Sequence, residues 1–190
     1  MMFSIATSRL DLIAATVALF DAELESHSRL ESLLEAHIPE GWPPGEYDTA
    51  AIKHFRDRLK ENPDAVGWYG WYALLRPRGE EPRTLVGAGG FLGPPNADGL
   101  LEIGYSVLPA FEGQGYATEL VRALVNHAFA TGAIRQIIAH TTKENYGSVK
   151  VLDRSGFHVA RLGQDSDMVE YVLHSPAASQ ATPLRGSTTP

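Results

Sequence analysis

The sequence contains no cysteine among its 190 residues, which excludes disulfide bonds, thiolate metal sites and a cysteine nucleophile. Basic residues are scarce: 16 lysines and arginines stand against 23 aspartates and glutamates, giving a formal net charge of -7. This charge argues against non-specific binding to nucleic acid or to an anionic membrane surface. The longest apolar run near the start, residues 12–20, is far shorter than the roughly 20 residues of a membrane span. Together these absences favour a cytoplasmic protein that binds neither nucleic acid nor a membrane.

A metal-binding pattern is also missing from the sequence. Seven histidines are present, but none lies in an HExxH motif or in another paired-ligand spacing. We expect His54, His127 and His140 to be packed or exposed side chains rather than ligands, and we expect no metal in the site.

Hydrophobic spacing divides the chain into strand-like and helix-like segments. Alternating or buried-strand patterns predict strands over residues 9–14, 67–75, 84–93, 100–108 and 133–141, with two closing strands over 157–163 and 167–174. Helical spacing predicts helices over residues 17–24, 30–37, 49–62, 116–128 and 145–155. Three consecutive strands joined by short turns indicate an antiparallel meander. The predicted fold class is therefore mixed α/β.

The chain length suits a single domain, which we predict over residues 1–174. Residues 175–190 contain mainly proline, serine, threonine and alanine, and they offer little apolar surface to bury. We therefore predict a disordered C-terminal tail over this segment.

The residues before the fourth predicted helix form a glycine loop. Gly113 and Gly115 allow a tight turn whose amide groups point inward, and the helix that begins near Tyr116 adds its N-terminal dipole. This arrangement is typical of a diphosphate-binding loop, although a turn that merely needs glycine is the plainer alternative. A dinucleotide fingerprint would require glycine where Thr118 stands, and a Walker A loop would require a lysine that is absent here.

Two longer stretches resemble a known family. The stretch "EIGYSVLPAFEGQGYATELVRALVNHAF" resembles the central motif of the GNAT superfamily of acetyl-CoA-dependent N-acetyltransferases, and "TTKENYGSVKVLDRSGF" resembles the strand and helix that follow it. The detailed match spans about residues 101–157 and is most similar to the RimJ/RimL-like branch, which acetylates the N-termini of ribosomal proteins. The resemblance implies a GNAT-like fold, with an antiparallel-then-parallel twisted sheet flanked by helices.

The resemblance also implies that acetyl-CoA is the co-substrate. In this family the loop amides hold the CoA diphosphate, a strand edge pairs with the pantetheine arm, and an asparagine at the next helix start contacts CoA. The matching residues are Val107, Leu108, Glu112, Gly113, Gln114, Gly115, Tyr116, Ala117, Thr118 and Asn145.

Two residues match catalytic positions of the family. Glu102 matches a proposed general base, and Ser148 matches a serine near the thioester sulfur in RimL-like members. An amine must be neutral to attack a thioester, and a carboxylate can take its proton directly or through water. Plainer roles remain open: Glu102 as a solvent-facing strand residue, Ser148 as a small residue in a first helical turn, and Asn145 as an N-cap.

Two positions depart from the family pattern. Leu152 stands where many members carry a tyrosine that protonates the thiolate. Glu112 stands where arginine or glutamine is usual, and a carboxylate aimed into the loop would repel a diphosphate. We therefore expect the amides to bind and Glu112 to point to water.

Aromatic residues are the candidates for the acceptor side. We predict that Trp42, Trp68, Trp71 and Tyr105 contact the acceptor, a peptide N-terminus or a small-molecule amine. The leading function is an N-acetyltransferase that works by direct attack in a ternary complex. The alternatives are a non-catalytic acyl-CoA-binding domain and an enzyme that uses a longer acyl-CoA donor. Since dimers are frequent in the family, a homodimer is expected.

Overall fold

The computed structural model describes residues 3–45, 47–77, 79–162 and 167–176. Strands within them are β1 (Ser4–Ala6), β2 (Leu10–Ala14), β3 (Ala36–His37), β4 (Gly70–Leu75), β5 (Arg83–Phe91), β6 (Leu100–Val107), β7 (Gln136–Thr142), β8 (His158–Leu162) and β9 (Met168–His174). The α-helices there are α1 (Val17–Glu25), α2 (His27–Leu34), α3 (Thr49–Glu61), α4 (Tyr116–Ala130) and α5 (Tyr146–Arg154). The predicted C-terminal tail lies outside the described residues from position 177 onward. No helix in the described ranges is long and apolar enough to cross a membrane.

One mixed sheet organises the protein. Its strands follow the order β1-β2-β4-β5-β6-β7-β9-β8, and β3 adds a short parallel pairing to β5. The pairs β4–β5 and β5–β6 are antiparallel, which confirms the predicted meander. Strand β7 then runs parallel to β6, with α4 as the connection between them. The mixed α/β fold class is therefore confirmed.

Helices cover both faces of this sheet. Residues of α4 and α5 pack on one face, and residues of α1, α2 and α3 pack on the other. Because successive side chains of a strand point to opposite faces, the neighbours Trp71 and Tyr72 of β4 belong to these two different cores.

The predicted continuation of the second helix through His37 is wrong. Helix α2 ends at Leu34, and Glu35 turns the chain with a left-handed backbone conformation at φ 49°. Ala36 and His37 then pair with β5 as the short strand β3. The side chain of Glu31 accepts a hydrogen bond from the Ile38 amide at 3.0 Å, which holds the reversed chain against the helix. No glycine or proline marks this turn, so local sequence signals could not reveal it.

The turn between β1 and β2 is clamped to the start of α4. The hydroxyls of Thr7 and Ser8 donate to Glu119 Oε1 at 2.6 and 2.9 Å. The backbone amide of Arg9 donates to the same oxygen at 2.8 Å, and its Nε donates to Oε2 at 2.7 Å. Arg9 also donates from Nη1 to the Gln114 carbonyl at 2.9 Å. The first strands thereby brace the glycine loop that precedes α4.

This clamp predicts that Glu119→Gln destabilises the fold in a pH-dependent way. Burial alone would raise the pKa of Glu119, but the hydrogen bonds from Thr7, Arg9 and Ser8 outweigh it and lower the pKa from 4.5 to about 2. Since the folded-state pKa is depressed, the stabilisation is present above pH 4.5 and is lost as the pH falls toward about 2. We expect the variant to lose about 2 kcal/mol of unfolding free energy at pH 7.

Urea unfolding of wild type and variant at pH 7 and pH 3 measures this loss. Glu144→Gln, at an exposed position, is the matched control and should unfold like the wild type. If the difference in unfolding free energy between the wild type and Glu119→Gln is the same at both pH values, the pKa of Glu119 is not depressed by the clamp.

Candidate active site

A cleft opens in the middle of the sheet where β6 and β7 separate. The two strands pair only from Leu100–Gln136 to Glu102–Ile138. Beyond these residues lies a cavity of about 580 Å³, which we call the β6–β7 cleft. Residues from both sides of the sheet line it: Tyr105, Asn145 and Ser148 on the α5 side, Gly45, Tyr47, Ala51 and Phe55 on the α3 side, and Gly104, Ser106, Ala139, His140 and Thr141 along the strands. Two reactants can therefore approach one point from opposite faces of the sheet.

The open edge of β6 faces this cleft. Strand β5 occupies the other edge of β6, where Val107 pairs with Gly87. Past Glu102, no strand of the described chain pairs with the β7-facing edge. Peptide groups along this edge can therefore bind an extended ligand in the manner of an added strand.

The glycine loop adjoins the cleft at Glu112, which is a lining residue. Gly113 and Gly115 have φ values of 72° and 84°, a left-handed conformation that favours glycine. Helix α4 begins directly afterwards, and within the described residues no side chain caps its first turn. Since the first amides of a helix have no intrahelical acceptor, this end offers N–H donors to an anion.

The other residues predicted to bind CoA differ in their solvent exposure. Gln114 is exposed, and Tyr116 is buried with its ring 4.5 Å from the Arg9 guanidinium. Ala117 and Thr118 are half-buried in the first turn of α4. Leu108 is buried, and its amide donates to the Val86 carbonyl at 2.9 Å, so its N–H group is not free to bind a cofactor.

Glu112 is exposed, as expected, but it also lines the cleft. Its backbone amide already donates to the Pro109 carbonyl at 3.2 Å, which makes it less available than the amides that follow. The position therefore contributes a carboxylate to the cleft mouth rather than a free amide.

Two hydroxyl groups meet on the α5 side of the cleft. The Tyr105 hydroxyl lies 2.9 Å from Ser148 Oγ. Burial raises the pKa of Tyr105 to about 12, with the Ser148 hydrogen bond opposing the shift and Tyr171 adding to it. Asn145 caps α5 by accepting the Ser148 amide at 3.0 Å, as its plainer role requires. Tyr105 therefore sits with Ser148, not with the aromatic residues of the α3 side.

Leu152 cannot join this pair of hydroxyls. Its side chain is 1% exposed in the core beneath α5. Another hydroxyl must reach the cleft to take the role of the tyrosine that many family members carry at this position. The Tyr105 hydroxyl does so. The sequence alone did not indicate this, because Tyr105 lies on a different element.

Three ionisable side chains form an array across neighbouring strands. Glu102 of β6 lies 2.7 Å from His140 Nδ1, and Glu170 of β9 lies 3.4 Å from His140 Nε2. No group of three histidine, aspartate or glutamate side chains in the described residues is arranged to hold a metal ion. His140 lines the cleft, whereas Glu102 stands behind it. The sequence alone did not indicate this array, because it forms only when β6, β7 and β9 pair in the sheet.

Of the four aromatic residues predicted to contact the acceptor, Tyr105 lines the cleft, and the three tryptophans lie elsewhere. Trp71 is 1% exposed, and its indole N–H donates to the Gly67 carbonyl. Trp42 is buried and donates to Glu23 at 2.6 Å. Trp68 is half-buried and packs on Phe91. None of these tryptophans is among the cleft-lining residues.

Tyr47 and Phe55 line the cleft in their place. Phe55 follows Ile52 on α3 at helical spacing, a pattern that predicts the helix without showing what its faces contact. Tyr47 lies in the proline-rich loop before α3. Sequence spacing gave no signal that this loop and the α3 face reach the same cleft.

Comparisons with known proteins agree with this geometry. A sequence model of the family described as "Acetyltransferase (GNAT) domain" matches residues 15–158. The chain is 30% identical over 151 residues to YjdG of Bacillus subtilis (strain 168), described as an uncharacterized N-acetyltransferase, which covers 80% of this chain and 87% of that protein. The chain belongs to the GNAT acetyltransferase family. It is accordingly an acetyl-CoA-dependent acetyltransferase, and its family transfers acyl groups from acetyl-CoA to amines.

Solved structures show the same fold. The ribosomal-protein alpha-N-acetyltransferase RimL in complex with coenzyme A aligns with a TM-score of 0.63 and 20% identity, covering 92% of this chain and 99% of that chain. The microcin self-immunity acetyltransferase MccE in complex with acetyl-CoA and AMP aligns with a TM-score of 0.61 and 15% identity, covering 88% and 93%. Identities this low establish the fold and leave the acceptor open.

Proposed function

We propose that this chain transfers the acetyl group of acetyl-CoA to a primary amine, either a peptide N-terminus or a small-molecule amine, within a single domain over residues 1–174. The observation that carries the proposal is the β6–β7 cleft, which is lined from both faces of the sheet. A donor on the α4–α5 side and an acceptor on the α3 side would meet there without a covalent enzyme intermediate. A homodimer and a cytoplasmic location remain predictions.

The donor side fits acetyl-CoA in three respects. The amides of residues 113–118 would bind the diphosphate, because the two glycines and the uncapped start of α4 expose N–H groups there. The open edge of β6 up to Val107 would pair with the pantetheine arm. Asn145 lies beside this path at the start of α5.

The chemistry of the cleft fits direct attack on a thioester. The hydrogen-bonded pair of Glu102 and His140 would accept the proton of the incoming ammonium. Amides aimed at the developing oxyanion contribute about 3–4 kcal/mol per donor in comparable acyl-transfer sites. Ser148 and Tyr105 would protonate the leaving thiolate, since both hydroxyls reach the cleft from the α5 side.

The acceptor side suits a cationic group with an apolar neighbour. Tyr47 and Phe55 offer aromatic faces, and Glu112 offers a carboxylate at the cleft mouth. An α-amino group or a small amine carries such a charge near neutral pH. The acetylation of a ribosomal-protein N-terminus by RimL supports a peptide as one acceptor class.

Calorimetric titration with acetyl-CoA, beside desulfo-CoA and NAD, tests the proposal. We expect micromolar binding of acetyl-CoA and none of NAD, followed by turnover in a panel of peptide and small-molecule amines. The N-acetyltransferase relatives favour this outcome over a non-catalytic acyl-CoA-binding domain. Faster turnover with a longer acyl-CoA would instead identify a different donor, and no binding of any CoA would overturn the proposal.

Glu112→Arg is expected to lower the acetyl-CoA KM several-fold. The carboxylate lies at the cleft mouth, and a cation in its place would attract the diphosphate instead of repelling it. Steady-state kinetics at low and high salt measures the change, which should shrink at high salt because exposed charges are screened. An unchanged KM would show that this side chain faces away from the bound cofactor.

A further inference from the structure

His140 lines the cleft, whereas Glu102, which contacts His140 Nδ1 at 2.7 Å, is not among the lining residues. We infer that His140 is the group that takes the proton from the acceptor amine, and that Glu102 is a positioning residue that holds the His140 ring. This inference rests on the proposed function and assigns the proton transfer to a residue other than the glutamate that matches the family motif.

Sheet register brings the array together. Glu102 pairs with Ile138 across the parallel β6–β7 contact, and His140 lies two residues further along β7 on the same face. Because β6 and β7 separate just beyond this pair, the His140 ring reaches the opening while the Glu102 carboxylate stays next to the last paired residues. Both side chains are about one-third exposed, at 35% each.

The contact with Glu102 selects the form of the imidazole. An ionised carboxylate only accepts hydrogen bonds, so the 2.7 Å contact requires a proton on His140 Nδ1. In the neutral ring the lone pair then lies on Nε2, which is the atom that can accept a proton. A carboxylate that fixes the tautomer and orientation of a catalytic imidazole is an established arrangement in other acyl-transfer enzymes.

Glu170 supports the ring after the proton has arrived. It is the register partner of His140 on β9, and its Oε2 lies 3.4 Å from Nε2, longer than an ordinary hydrogen bond. Once Nε2 carries a proton, the imidazolium lies between two carboxylates and has a donor for each of them. Glu170 is 27% exposed, so it also offers the proton a path to solvent.

The proton balance of the reaction is complete with these groups. An N–H bond of the ammonium breaks and an N–H bond forms at His140 Nε2, which later releases this proton to solvent. The neutral nitrogen attacks the thioester carbon, a C–N bond forms and the C–S bond breaks. The second nitrogen proton leaves as the amide forms, and the thiolate gains a proton from the Ser148 and Tyr105 hydroxyls, which are restored by that second proton through water.

A histidine suits this transfer better than a glutamate on energetic grounds. The ordinary pKa of histidine, about 6.5, is closer to the 7.7–8 of an α-amino group than the ordinary value of glutamate, about 4.3. A base whose pKa is near the operating pH combines the correct protonation state with sufficient driving force.

The other ionisable groups around the cleft are less suited to this role. Glu102 and Glu170 flank His140 from β6 and β9. Among the described residues that line the cleft, Tyr47 faces it from the loop before α3, Tyr105 from β6 and Glu112 from the glycine loop. Burial raises the pKa of both tyrosines, so neither accepts a proton near neutral pH. Glu112 stands at the mouth, on the loop that would hold the diphosphate.

Four variants, His140→Gln, Glu102→Gln, Glu102→Ala and His37→Gln, separate the two possible bases. We expect His140→Gln and Glu102→Ala to lower kcat/KM for the acceptor about 100-fold, with the acetyl-CoA Kd unchanged. Glu102→Gln should lower kcat/KM only about tenfold, because its amide oxygen still accepts the hydrogen bond from His140 Nδ1–H. In His140→Gln the acid limb of the kcat/KM profile should follow the pKa of the acceptor amine, because no protein base then takes the ammonium proton. His37→Gln, which removes another histidine–glutamate pair far from the cleft, is the matched control.

The inference is overturned if His140→Gln retains activity within about threefold while Glu102→Gln is as inactive as Glu102→Ala. That result would make Glu102 the base and would leave the proposed function intact. If the wild-type protein does not bind acetyl-CoA, the proposed function itself is wrong. Nitrogen NMR of the histidine rings provides a readout that needs no acceptor: neutral His140 should carry its proton on Nδ1, and a proton on Nε2 would contradict the inference.

Discussion

The double variant Tyr105→Phe/Ser148→Ala is expected to lose about 1,000-fold in kcat, within the range of general acid catalysis. Its acetyl-CoA Kd should remain within about threefold of the wild-type value. The two hydroxyls lie 2.9 Å apart and both line the cleft on the α5 side. With both removed, the thiolate must leave without a protein donor.

Each single variant should lose less, about tenfold in kcat. In Ser148→Ala the Tyr105 hydroxyl remains in the cleft, and its pKa of about 12 keeps it protonated throughout the neutral range. In Tyr105→Phe the serine remains and the ring still fills its place in the core. The effects of the two substitutions should therefore be strongly coupled rather than additive.

Single-turnover kinetics with two acetyl thioesters, one with a good and one with a poor thiol leaving group, measures how far the two hydroxyls protonate the thiolate. A more acidic thiol needs less protonation, so it should restore much of the rate in the double variant. Tyr146→Phe is the matched control. Tyr146 lies on α5 like Ser148, but its side chain is 71% exposed and does not line the cleft. If the double variant and the control react equally fast, water protonates the thiolate and the hydroxyl pair has no catalytic role.

The features that the sequence predicted correctly depend on short-range patterns. Helix α4 has apolar residues at helical spacing directly after two glycines, and it starts at Tyr116 as predicted. Strand period likewise places Leu101 and Ile103 on the face opposite Glu102, and both are buried in the structure. In each case the physical cause lies within a few residues of its effect.

The features that the sequence missed depend on contacts between distant segments. His140 meets Glu102 and Glu170 only because β7 pairs with two strands from separate parts of the chain. Trp42 was placed on the acceptor side for its aromatic ring, yet its N–H group is used by a buried glutamate on α1. Neither partner can be identified from spacing, since the same residues would suit a solvated strand or an open loop equally well.

That buried glutamate, Glu23, is expected to have the largest effect on stability. It is 8% exposed and accepts hydrogen bonds from Trp42 Nε1 at 2.6 Å, the Tyr72 hydroxyl at 2.6 Å and the Tyr47 hydroxyl at 3.0 Å. Glu23→Ala would leave the buried donors of Trp42 and Tyr72, and the partly buried Tyr47 hydroxyl, without their acceptor. Each buried donor left unpaired costs about 1–3 kcal/mol. We expect the free energy of unfolding to fall by about 3–5 kcal/mol.

The pH dependence of this site has the opposite sign to that of Glu119. Burial raises the pKa of Glu23, and the hydrogen bonds from Tyr72, Trp42 and Tyr47 oppose the shift without cancelling it. A raised folded-state pKa means that the linked stabilisation is present below the ordinary value of 4.5 and is lost as the pH rises through the folded-state value. The hydrogen bonds themselves persist at neutral pH, so Glu23→Ala remains destabilising there.

A double-mutant cycle with Tyr72→Phe tests whether the loss comes from unsatisfied donors. Removing the Tyr72 hydroxyl together with Glu23 eliminates one orphaned donor, so the double variant should be more stable than the sum of the single changes predicts. Additive losses measured by urea unfolding would show that the cost of Glu23→Ala is only a cavity. Because Tyr47 also lines the cleft, a milder Glu23→Gln variant should raise the acceptor KM while leaving the acetyl-CoA Kd unchanged. Equal changes in both constants would mean that Glu23 supports the whole fold and has no particular influence on the acceptor side.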